Sequence, residues 1–344
     1  MTSIPNRMKA AVCTAPGAPL VLKDVPVPKP GPGQLLVKLE SCGICHSDLH
    51  LRDEPLPAEF YPRIFGHEGI GHVVAFGDGV ASPALGTRVG LPWLFETCLD
   101  CGPCHTGAEN YCPDQSARGV EHNGAFAEFA LLESSFAVEI PQGIDPLRGG
   151  PLLCAGLTAW SALKRSKLRP GDNVLIIGAG GLGQYAVLIA KSRGARVIVV
   201  DQDPSKLQTA LGLGADLTIL AGPQAGQAIR QAGGADVTLN FAPSPAVWPT
   251  ICEATNPLSD VVLIALVNAA MPLEALWLID GGHRVFGSSV GTRQDLRDFL
   301  EFATQNPLAV DVEAIPLSAA NAALDRLKTG DVVGRLAIDF RLPH

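Results

Sequence analysis

Four cysteines lie close together in the stretch CLDCGPCHTGAENYC: Cys98, Cys101, Cys104 and Cys112. Two, two and seven residues separate them. Four thiolates on such short spacers can enclose one zinc ion tetrahedrally, whereas ordinary buried cysteines scatter along a chain. A disulfide framework is typical of small secreted domains, and this chain has 344 residues. The spacing therefore predicts a structural zinc site, in which four thiolates leave no open position for a substrate.

A glycine-rich turn, GAGGLG, is a second candidate site. Its glycines Gly178, Gly180 and Gly183 stand between a predicted strand at 173–180 and a predicted helix at 181–195. In a dinucleotide-binding turn the first glycine permits the tight turn, the second lets the backbone approach a pyrophosphate, and the third allows helix and strand to pack closely. The context of the three glycines therefore predicts a dinucleotide site.

The residues after this turn predict which dinucleotide binds. Gly181 and Leu182 open the predicted helix, where backbone N–H groups can donate to a pyrophosphate. Asp201 ends the next predicted strand, RVIVVD, 23 residues after Gly178. A carboxylate there accepts hydrogen bonds from the adenosine ribose hydroxyls and repels a 2′-phosphate, so the pattern favours NAD over NADP.

The elements that position these residues follow two patterns, one before and one after about residue 150. Residues 1–150 contain short β-like runs broken by glycine and proline, which predict a β-rich region. These runs include 35–43, 69–77 and 124–132.

After Gly171, strand, helix and strand follow one another as in a βαβ unit, which predicts a parallel sheet and an α/β class. Further apolar runs that continue the sheet lie at 236–242 and 260–266. A helix is predicted near 294–304 and a final strand at 334–340.

Composition excludes several classes of partner. The formal net charge of −8 leaves no basic patch, so we expect no nucleic-acid partner. No apolar run approaches the roughly twenty residues that cross a bilayer, and the first ten residues lack an apolar signal segment. Nine cysteines suit a reducing compartment, so we expect a cytoplasmic protein without a membrane partner.

A second, catalytic metal site is suggested by the stretches CGICHSDLH and GHE. Catalytic zinc commonly has three protein ligands and an open position. Cys45, His67 and Cys154 could supply three ligands, but they are far apart in the sequence, and spacing alone does not group them. Taken separately, each has an ordinary explanation as a buried thiol or a loop histidine.

Six motifs, in order, resemble those of the zinc-dependent alcohol dehydrogenases of the medium-chain dehydrogenase/reductase family, closest to the bacterial and yeast-like tetrameric branch. They are CGICHSDLH, FGHEGIGHVV, LLCAGLTAW, GAGGLG, SVGTRQDL and VVGRLAIDF, and they accompany the four-cysteine stretch. The resemblance covers nearly the whole chain. It implies a GroES-like β-rich catalytic domain over 1–154 and 288–344, and a Rossmann coenzyme domain with a doubly wound parallel sheet over 155–287.

The resemblance also implies roles for the metal site. Cys45, His67 and Cys154 would hold the catalytic zinc, so that the chain binds two zinc ions. Glu68 would be a transient ligand, and Asp48 would orient His67. Two further residues would form a proton relay, Ser47 and His50.

Roles in cofactor and substrate binding follow in the same way. Lys206 would approach the adenosine ribose, and His46 and Arg335 the pyrophosphate. Ala265, where the family commonly has glycine, would lie with Leu266 near the nicotinamide. The residues implied for the alcohol pocket are Trp93, for which core packing is an equally good explanation, and Leu56, which replaces a bulkier tryptophan of yeast-type enzymes.

The predicted function is reversible hydride transfer between a primary or secondary alcohol and NAD, giving an aldehyde or ketone. The smaller Leu56 favours longer or aromatic alcohols. Two alternatives remain open at this point: a quinone or enone reductase of the same fold, and a non-catalytic NAD-binding protein stabilised by zinc. The family implies a homotetramer, or else a dimer, with the strand near 285–291 in a subunit interface.

Overall fold

The computed structural model describes residues 4–54, 56–267 and 269–343. The chain divides into two compact units. The first comprises Met1–Ala155, Thr292–Pro307 and Asp311–His344, and the second comprises Gly156–Gly291 and Leu308–Val310. The predicted domain boundaries at 154/155 and 287/288 differ from these by one and four residues, and the short segment Leu308–Val310 was not foreseen.

The first part of the chain forms mostly short strands. Strands β1 to β10 span Arg7–Cys13, Val21–Pro26, Gln34–Ile44, Arg63–Ile64, Gly69–Phe76, Arg88–Leu91, Leu94–Glu96, Ser116–Ala117, Phe129–Glu133 and Val138–Glu139. Helices α1 to α4 span His46–Asp53, Gly102–His105, Pro146–Gly149 and Ala155–Arg165. Single 3₁₀ turns lie at Ala58–Phe60, Glu109–Tyr111, Ser134–Phe136 and Gly150–Leu153.

The second unit contains a parallel sheet with helices between its strands. Strands β11 to β16 span Asn173–Ile177, Arg196–Asp201, Leu217–Leu220, Ala235–Asn240, Thr255–Leu263 and Arg284–Gly287. Helices α5 to α9 span Gly181–Ser192, Pro204–Gly212, Ala225–Gln231, Trp248–Ala254 and Ala275–Gly281, with a 3₁₀ turn at Pro245–Val247.

In the described residues the order of these six strands is β13-β12-β11-β14-β15-β16, and every neighbouring pair is parallel. This is the order of a doubly wound dinucleotide-binding sheet, in which the chain starts at the centre and reverses direction once. The strands are apolar and β-branched because both faces of such a sheet are covered. The predicted α/β class and Rossmann sheet are confirmed.

The chain then returns to the first unit. Helix α10 spans Arg293–Gln305, β17 Val312–Ile315, α11 Ala320–Thr329 and β18 Arg335–Asp339, with a 3₁₀ turn at Leu317–Ala319. Strand β18 pairs with β3 and β17, and completes a sheet that runs, in the described chain, β10-β6-β5-β3-β18-β17, with β9 also on β3. Smaller sheets join β2-β1-β4 and β7-β8. Strand β3 is buried along most of its length, and α1 begins directly after it.

Some predicted strands end earlier or begin later than their apolar runs. Only the end of the run 124–132 is a strand, because Gly124, Ala125 and Phe126 donate backbone hydrogen bonds to the carbonyls of 64–66, the end of β4 and the two residues after it. The predicted run 236–242 ends as a strand at Asn240, and the run 260–266 ends as a strand at Leu263. Beyond these ends, the carbonyl of Asn240 accepts from the N–H groups of Ile264 and Ala265. None of the helices in the described ranges is long and apolar enough to cross a membrane.

Candidate metal centres and nucleotide site

One cluster of possible metal ligands is fully buried in the first unit. It consists of Cys45, His67, Glu68 and Cys154, whose ligand atoms all lie within 4.8 Å of one another. Cys45 stands between β3 and α1, His67 and Glu68 immediately precede β5, and Cys154 immediately precedes α4. The fold therefore brings together the three residues that sequence spacing could not group.

The geometry of this cluster suits zinc. Tetrahedral ligands about 2.3 Å from the ion lie about 3.8 Å apart, and the Sγ atoms of Cys45 and Cys154 are 3.9 Å apart. Nε2 of His67 and Oε2 of Glu68 are buried with no hydrogen-bond partner among the described residues. Buried polar atoms are normally paired, so these atoms point to a bound cation.

The charges of the cluster favour a thiolate. The hydrogen bond between the two thiols lowers the pKa of Cys45 well below its usual value and raises the pKa of Cys154. Burial opposes a charge on His67, but Asp48 and Cys45 outweigh it and raise the pKa of the imidazole well above its usual value. Because the thiolate is the metal-binding form of cysteine, Cys45 is suited to be a ligand.

Asp48 organises two members of the cluster. Its Oδ1 lies 3.2 Å from Nδ1 of His67 and accepts a hydrogen bond from the N–H of Gly66 at 3.0 Å. Its Oδ2 accepts from the N–H of Cys45, also at 3.0 Å. The carboxylate is fully buried in the first turn of α1. It therefore links the backbone of one proposed ligand to the ring of another.

Glu68 is held by an arginine. Its Oε1 accepts a hydrogen bond from Nη2 of Arg335 at 2.5 Å, and both side chains are buried. Burial, partly offset by Arg335, raises the pKa of Glu68 to about 7. A Cβ on Gly43 would lie 1.9 Å from Oε2 of Glu68, so this carboxylate occupies its place only because residue 43 is glycine. The predicted pyrophosphate contact of Arg335 stays a prediction.

The predicted relay residues lie on α1. Oγ of Ser47 is 3.8 Å from Sγ of Cys45. His50 follows three residues later, on the same side of the helix, and its imidazole is 42% exposed. Nδ1 of His50 contacts Oε1 of Glu54 at 2.9 Å. His46 opens the helix and is exposed.

The two predicted pocket residues differ in position. The Trp93 ring stands edge to face with the His67 ring, with centroids 5.0 Å apart and planes at 88°. Leu56 is half-buried and packs against the hydrophobic core of the unit, and its N–H donates to the hydroxyl of Tyr61 at 3.3 Å. Trp93 therefore contacts the buried cluster, whereas the described contacts of Leu56 are with the core.

The second cluster is the predicted structural site. Its members are Cys98, Cys101, Cys104 and Cys112, whose Sγ atoms lie within 4.8 Å of one another. The pairs in contact are 3.5 to 4.0 Å apart, which again fits tetrahedral zinc. The cysteines belong to residues 97–115, between the paired strands β7 and β8, which we call the four-cysteine lobe.

The lobe is also attached to α10. Glu109, buried within the lobe, accepts two hydrogen bonds from the Arg293 side chain: Oε1 accepts from Nε at 2.8 Å, and Oε2 accepts from Nη2 at 2.5 Å. The Arg293 guanidinium lies 4.0 Å from the centroid of the Phe136 ring. Neither residue was predicted, because an acid in a loop is ordinarily exposed and nothing in the sequence relates it to Arg293.

In the second unit the three glycines of the GAGGLG turn lie where β11 ends and α5 begins. Gly178, after β11, has φ of +99°, a region that favours glycine. A Cβ on Gly183 would lie 2.0 Å from the carbonyl oxygen of Gly178, so the close packing of α5 requires glycine. A Cβ on Gly180 would meet no atom within 4 Å, so this position borders open space. Gly181 and Leu182 form the first turn of α5.

Asp201 lies at the end of β12, beside this turn. Its Oδ2 accepts from the N–H of Ala179 at 2.6 Å, and its Oδ1 from the N–H of Asp203 at 2.9 Å. Lys206 lies in α6, which starts just beyond Asp201. Ala265 and Leu266 follow β15, and the side chain of Leu266 is largely exposed.

A glycine-rich turn on a doubly wound sheet and a buried cluster of zinc-type ligands together define a metal-dependent dehydrogenase. Comparisons with known proteins agree. A model of the alcohol dehydrogenase GroES-like domain matches residues 31–142, and a model of the zinc-binding dehydrogenases matches residues 181–305. An alcohol dehydrogenase of Geobacillus stearothermophilus is 37% identical over 338 residues, 97% of this chain and 99% of the relative.

Two solved structures have the same fold. The cinnamyl alcohol dehydrogenase of Sorghum bicolor has a TM-score of 0.88 and 30% identity, covering 97% of each chain. The acetophenone reductase of Geotrichum candidum, solved in complex with NAD, has a TM-score of 0.85 and 28% identity, covering 98% of each chain. The chain belongs to the zinc-dependent alcohol dehydrogenases of the medium-chain dehydrogenase/reductase family, as its motifs predicted.

Proposed function

We propose that the protein oxidises alcohols to aldehydes or ketones, and performs the reverse reaction, with NAD and two zinc ions. The observation that carries this proposal is the buried cluster of Cys45, His67 and Cys154, with Glu68 turned to Arg335. Three protein ligands and an open position are the usual composition of a catalytic zinc site.

In this proposal Cys45, His67 and Cys154 hold the catalytic ion. When bound, zinc would act as a Lewis acid that polarises the alcohol oxygen and lowers its pKa. Asp48 keeps the His67 ring in orientation through the contact at 3.2 Å. The four-cysteine lobe, by contrast, would hold its ion with all positions filled and would stabilise the unit without taking part in the chemistry.

The proton of the alcohol would leave by way of α1. Ser47 lies beside Cys45 and has a hydroxyl that can both accept and donate a proton. His50 has an imidazole that reaches solvent, and its two ring nitrogens can accept and donate a proton. We assign to Ser47 the first proton transfer and to His50 the last.

The second unit would bind the cofactor. NAD would accept or supply the hydride. Gly180 leaves room for a pyrophosphate to approach the backbone, and the first turn of α5 supplies N–H donors. The carboxylate of Asp201 has lone pairs left for ribose hydroxyls and would repel a 2′-phosphate, which favours NAD.

The remaining cofactor roles follow from the family. Lys206 is assigned to the adenosine ribose, His46 and Arg335 to the pyrophosphate, and Ala265 and Leu266 to the surroundings of the nicotinamide. On this basis the first unit is the catalytic domain and the second is the coenzyme domain.

We propose aromatic or longer primary and secondary alcohols as substrates. Trp93 would form one wall of the pocket, since its ring contacts the proposed ligand His67. Leu56 is assigned to the same pocket on family grounds. The names of the two structural relatives, a cinnamyl alcohol dehydrogenase and an acetophenone reductase, support an aromatic substrate.

A homotetramer in the cytoplasm is proposed as the working form. Strand β16 ends the parallel sheet in the described chain, and the nearby helix α9 exposes Leu276 and Ile279 by 70% and 73%. An open strand edge and exposed apolar side chains favour association with a second copy. Light scattering distinguishes a tetramer from a dimer of this 36.0 kDa chain.

The test combines zinc content with turnover. The wild-type protein is expected to contain two zinc ions per chain and to form NADH when an alcohol is added. Cys45→Ala is expected to keep one zinc ion, in the four-cysteine lobe, and to lose turnover. Two zinc ions without turnover on any alcohol, or enone reduction without alcohol oxidation, would contradict the proposed function.

A further inference from the structure

The base of the four-cysteine lobe lies next to the buried cluster. Strands β7 and β8, which close the lobe, pair through Leu94 with Ala117 and through Glu96 with Ser116. Trp93 immediately precedes β7 and Arg118 immediately follows β8. The N–H of Arg118 donates to the carbonyl of Trp93 at 2.8 Å, which extends the pairing by one step toward His67.

Arg118 is fully buried, which is unusual for an arginine without a carboxylate partner. Its exposed fraction is 0%, and no carboxylate of the described ranges forms a salt bridge with it. Its Nη1 donates to the carbonyl of Leu131 in β9 at 2.8 Å, and its guanidinium carbon lies 4.9 Å from the centroid of the Phe95 ring. Nε and Nη2 have no partner among the residues described.

Such a group is costly to bury. Burial lowers the pKa of Arg118 to about 9, so that the side chain is still charged at neutral pH. A buried charge with incomplete pairing destabilises a protein, and an apolar side chain would fill the same space at lower cost. The contacts that Arg118 does make therefore need an explanation beyond the filling of space.

Those contacts join three parts of the first unit. The backbone of Arg118 holds Trp93, its charge lies near Phe95 of β7, and its Nη1 holds β9, which itself pairs with the central strand β3. The ring of Trp93 in turn stands against the ring of His67. A displacement of Arg118 would therefore be transmitted to Trp93 beside the proposed catalytic metal.

We propose that Arg118 is a positioning residue for the alcohol pocket: it attaches the base of the four-cysteine lobe to β9 and so fixes the Trp93 ring against His67. The inference rests on the proposed function, because it takes Trp93 as a wall of the pocket. It gives the lobe a second task, since the strands that lead to its four thiolates also determine the shape of the substrate site.

Trp93 can be observed directly. It is the one tryptophan of the first unit, while Trp160, Trp248 and Trp277 belong to the second. Incorporation of 5-fluorotryptophan gives four ¹⁹F resonances, and Trp93→Phe identifies the one that belongs to Trp93. The matched variants are Arg118→Met, which removes the charge and the donors, and Arg326→Met, which removes an exposed arginine paired with Glu313.

In Arg118→Met we expect the Trp93 resonance to shift by more than its linewidth while the other three stay in place. The zinc content should equal that of the wild type. The ratio of kcat/KM for benzyl alcohol to that for ethanol should change at least about fivefold, because small displacements in a site have large effects on rate. Arg326→Met should change neither the Trp93 resonance nor the ratio.

A folding defect of Arg118→Met would not end the test. Arg118→Lys can keep a charge near Phe95, but its single ammonium cannot reproduce the planar guanidinium that reaches Leu131, so the same changes are expected in smaller measure. An unmoved Trp93 resonance or an unmoved substrate ratio, in whichever variant folds, overturns the proposal. If the wild type oxidises no alcohol, the proposed function fails, and the resonance alone decides whether Arg118 holds Trp93.

Discussion

At the scale of single residues, the glycine-rich turn shows two separate reasons for the absence of a side chain. Gly183 has no room for a Cβ, because the carbonyl oxygen of Gly178 would lie 2.0 Å from it. Gly180 has ample room in the protein itself, so its requirement for glycine would come from the ligand. A substitution at Gly183 therefore tests the folding of the turn, and a substitution at Gly180 tests cofactor binding.

Gly183→Ala should destabilise the second unit, and Gly180→Ala should weaken NAD binding. For Gly183→Ala we expect a loss of about 1–3 kcal/mol of unfolding free energy, the usual range for overpacking. For Gly180→Ala we expect an unchanged melting temperature and a higher Kd for NAD, because a methyl group would hinder the approach of the pyrophosphate. Thermal unfolding and calorimetric titration of both variants check this, and a reversed pattern would contradict it.

Asp201 is expected to set the cofactor preference. The double variant Asp201→Gly with Gln202→Arg should shift the ratio of kcat/KM toward NADP by about 10- to 100-fold, since a charged hydrogen bond contributes about 1.5–3 kcal/mol. Because Asp201 also accepts from the N–H of Ala179, some loss of stability should accompany the shift. Asp201→Asn, which removes the charge but keeps an acceptor, is the control. If the double variant prefers NAD over NADP as strongly as the wild type does, Asp201 does not set the cofactor preference.

At the scale of elements, the segment after β8 packs a histidine against β7, the strand that leads into the four-cysteine lobe. The His122 ring is stacked on Phe95, with centroids 3.8 Å apart and planes at 9°. Burial lowers the pKa of His122, and the charge of Arg118 acts in the same direction, while Glu96 opposes them. The folded protein therefore favours the neutral imidazole.

This preference predicts a loss of stability in mild acid. An unfolded histidine takes up its proton near pH 6.5, before the folded one does. The stabilising contribution is thus complete above about pH 6.5 and declines as the pH falls from there toward the lower folded pKa. The melting temperature of the wild type should drop more between pH 8 and pH 5 than that of His122→Phe, whose ring stacks but cannot ionise. Parallel pH profiles would show that His122 plays no part.

Sequence reasoning located elements better than it located their ends. The alternation of apolar strands and helices after Gly171 was sufficient to predict the parallel sheet. Strand β14 ends at Asn240, whose carbonyl accepts from the N–H groups of Ile264 and Ala265. The first part of the run 124–132 is not a strand, because its N–H groups donate to the carbonyls of 64–66. Such contacts between distant segments leave no periodic signal.

At the scale of the whole molecule, the two metal clusters differ in how far apart their ligands lie in the sequence, and this decided whether sequence spacing could predict them. The four-cysteine lobe is local, so its spacing alone predicted a cluster that the structure contains. Cys45 and Cys154 lie 109 residues apart and meet only through the fold, so a family resemblance was needed to group them. Arg118 and Glu109 were missed because buried charges cannot be distinguished from exposed ones by sequence alone.

The clusters should also differ in their response to metal removal. Cys98 is exposed, whereas Cys45 and Cys154 are buried. After chelation, iodoacetamide should therefore modify Cys98 well before Cys45 and Cys154, as followed by peptide mass spectrometry. The buried Cys13, which belongs to neither cluster, reports global unfolding. Equal rates at Cys98 and Cys45, with Cys13 still unmodified, would contradict the difference in burial.

The late pairing of β18 with β3 has a consequence for synthesis on the ribosome. Strand β3 is made early, yet its neighbour β18 is translated only after the entire parallel sheet of the second unit. A nascent chain thus carries Cys45, His67 and Cys154 long before Arg335 emerges to pair with Glu68. The second unit can complete its sheet first, while the first unit waits with an open strand edge, a period in which a chaperone would protect it from aggregation.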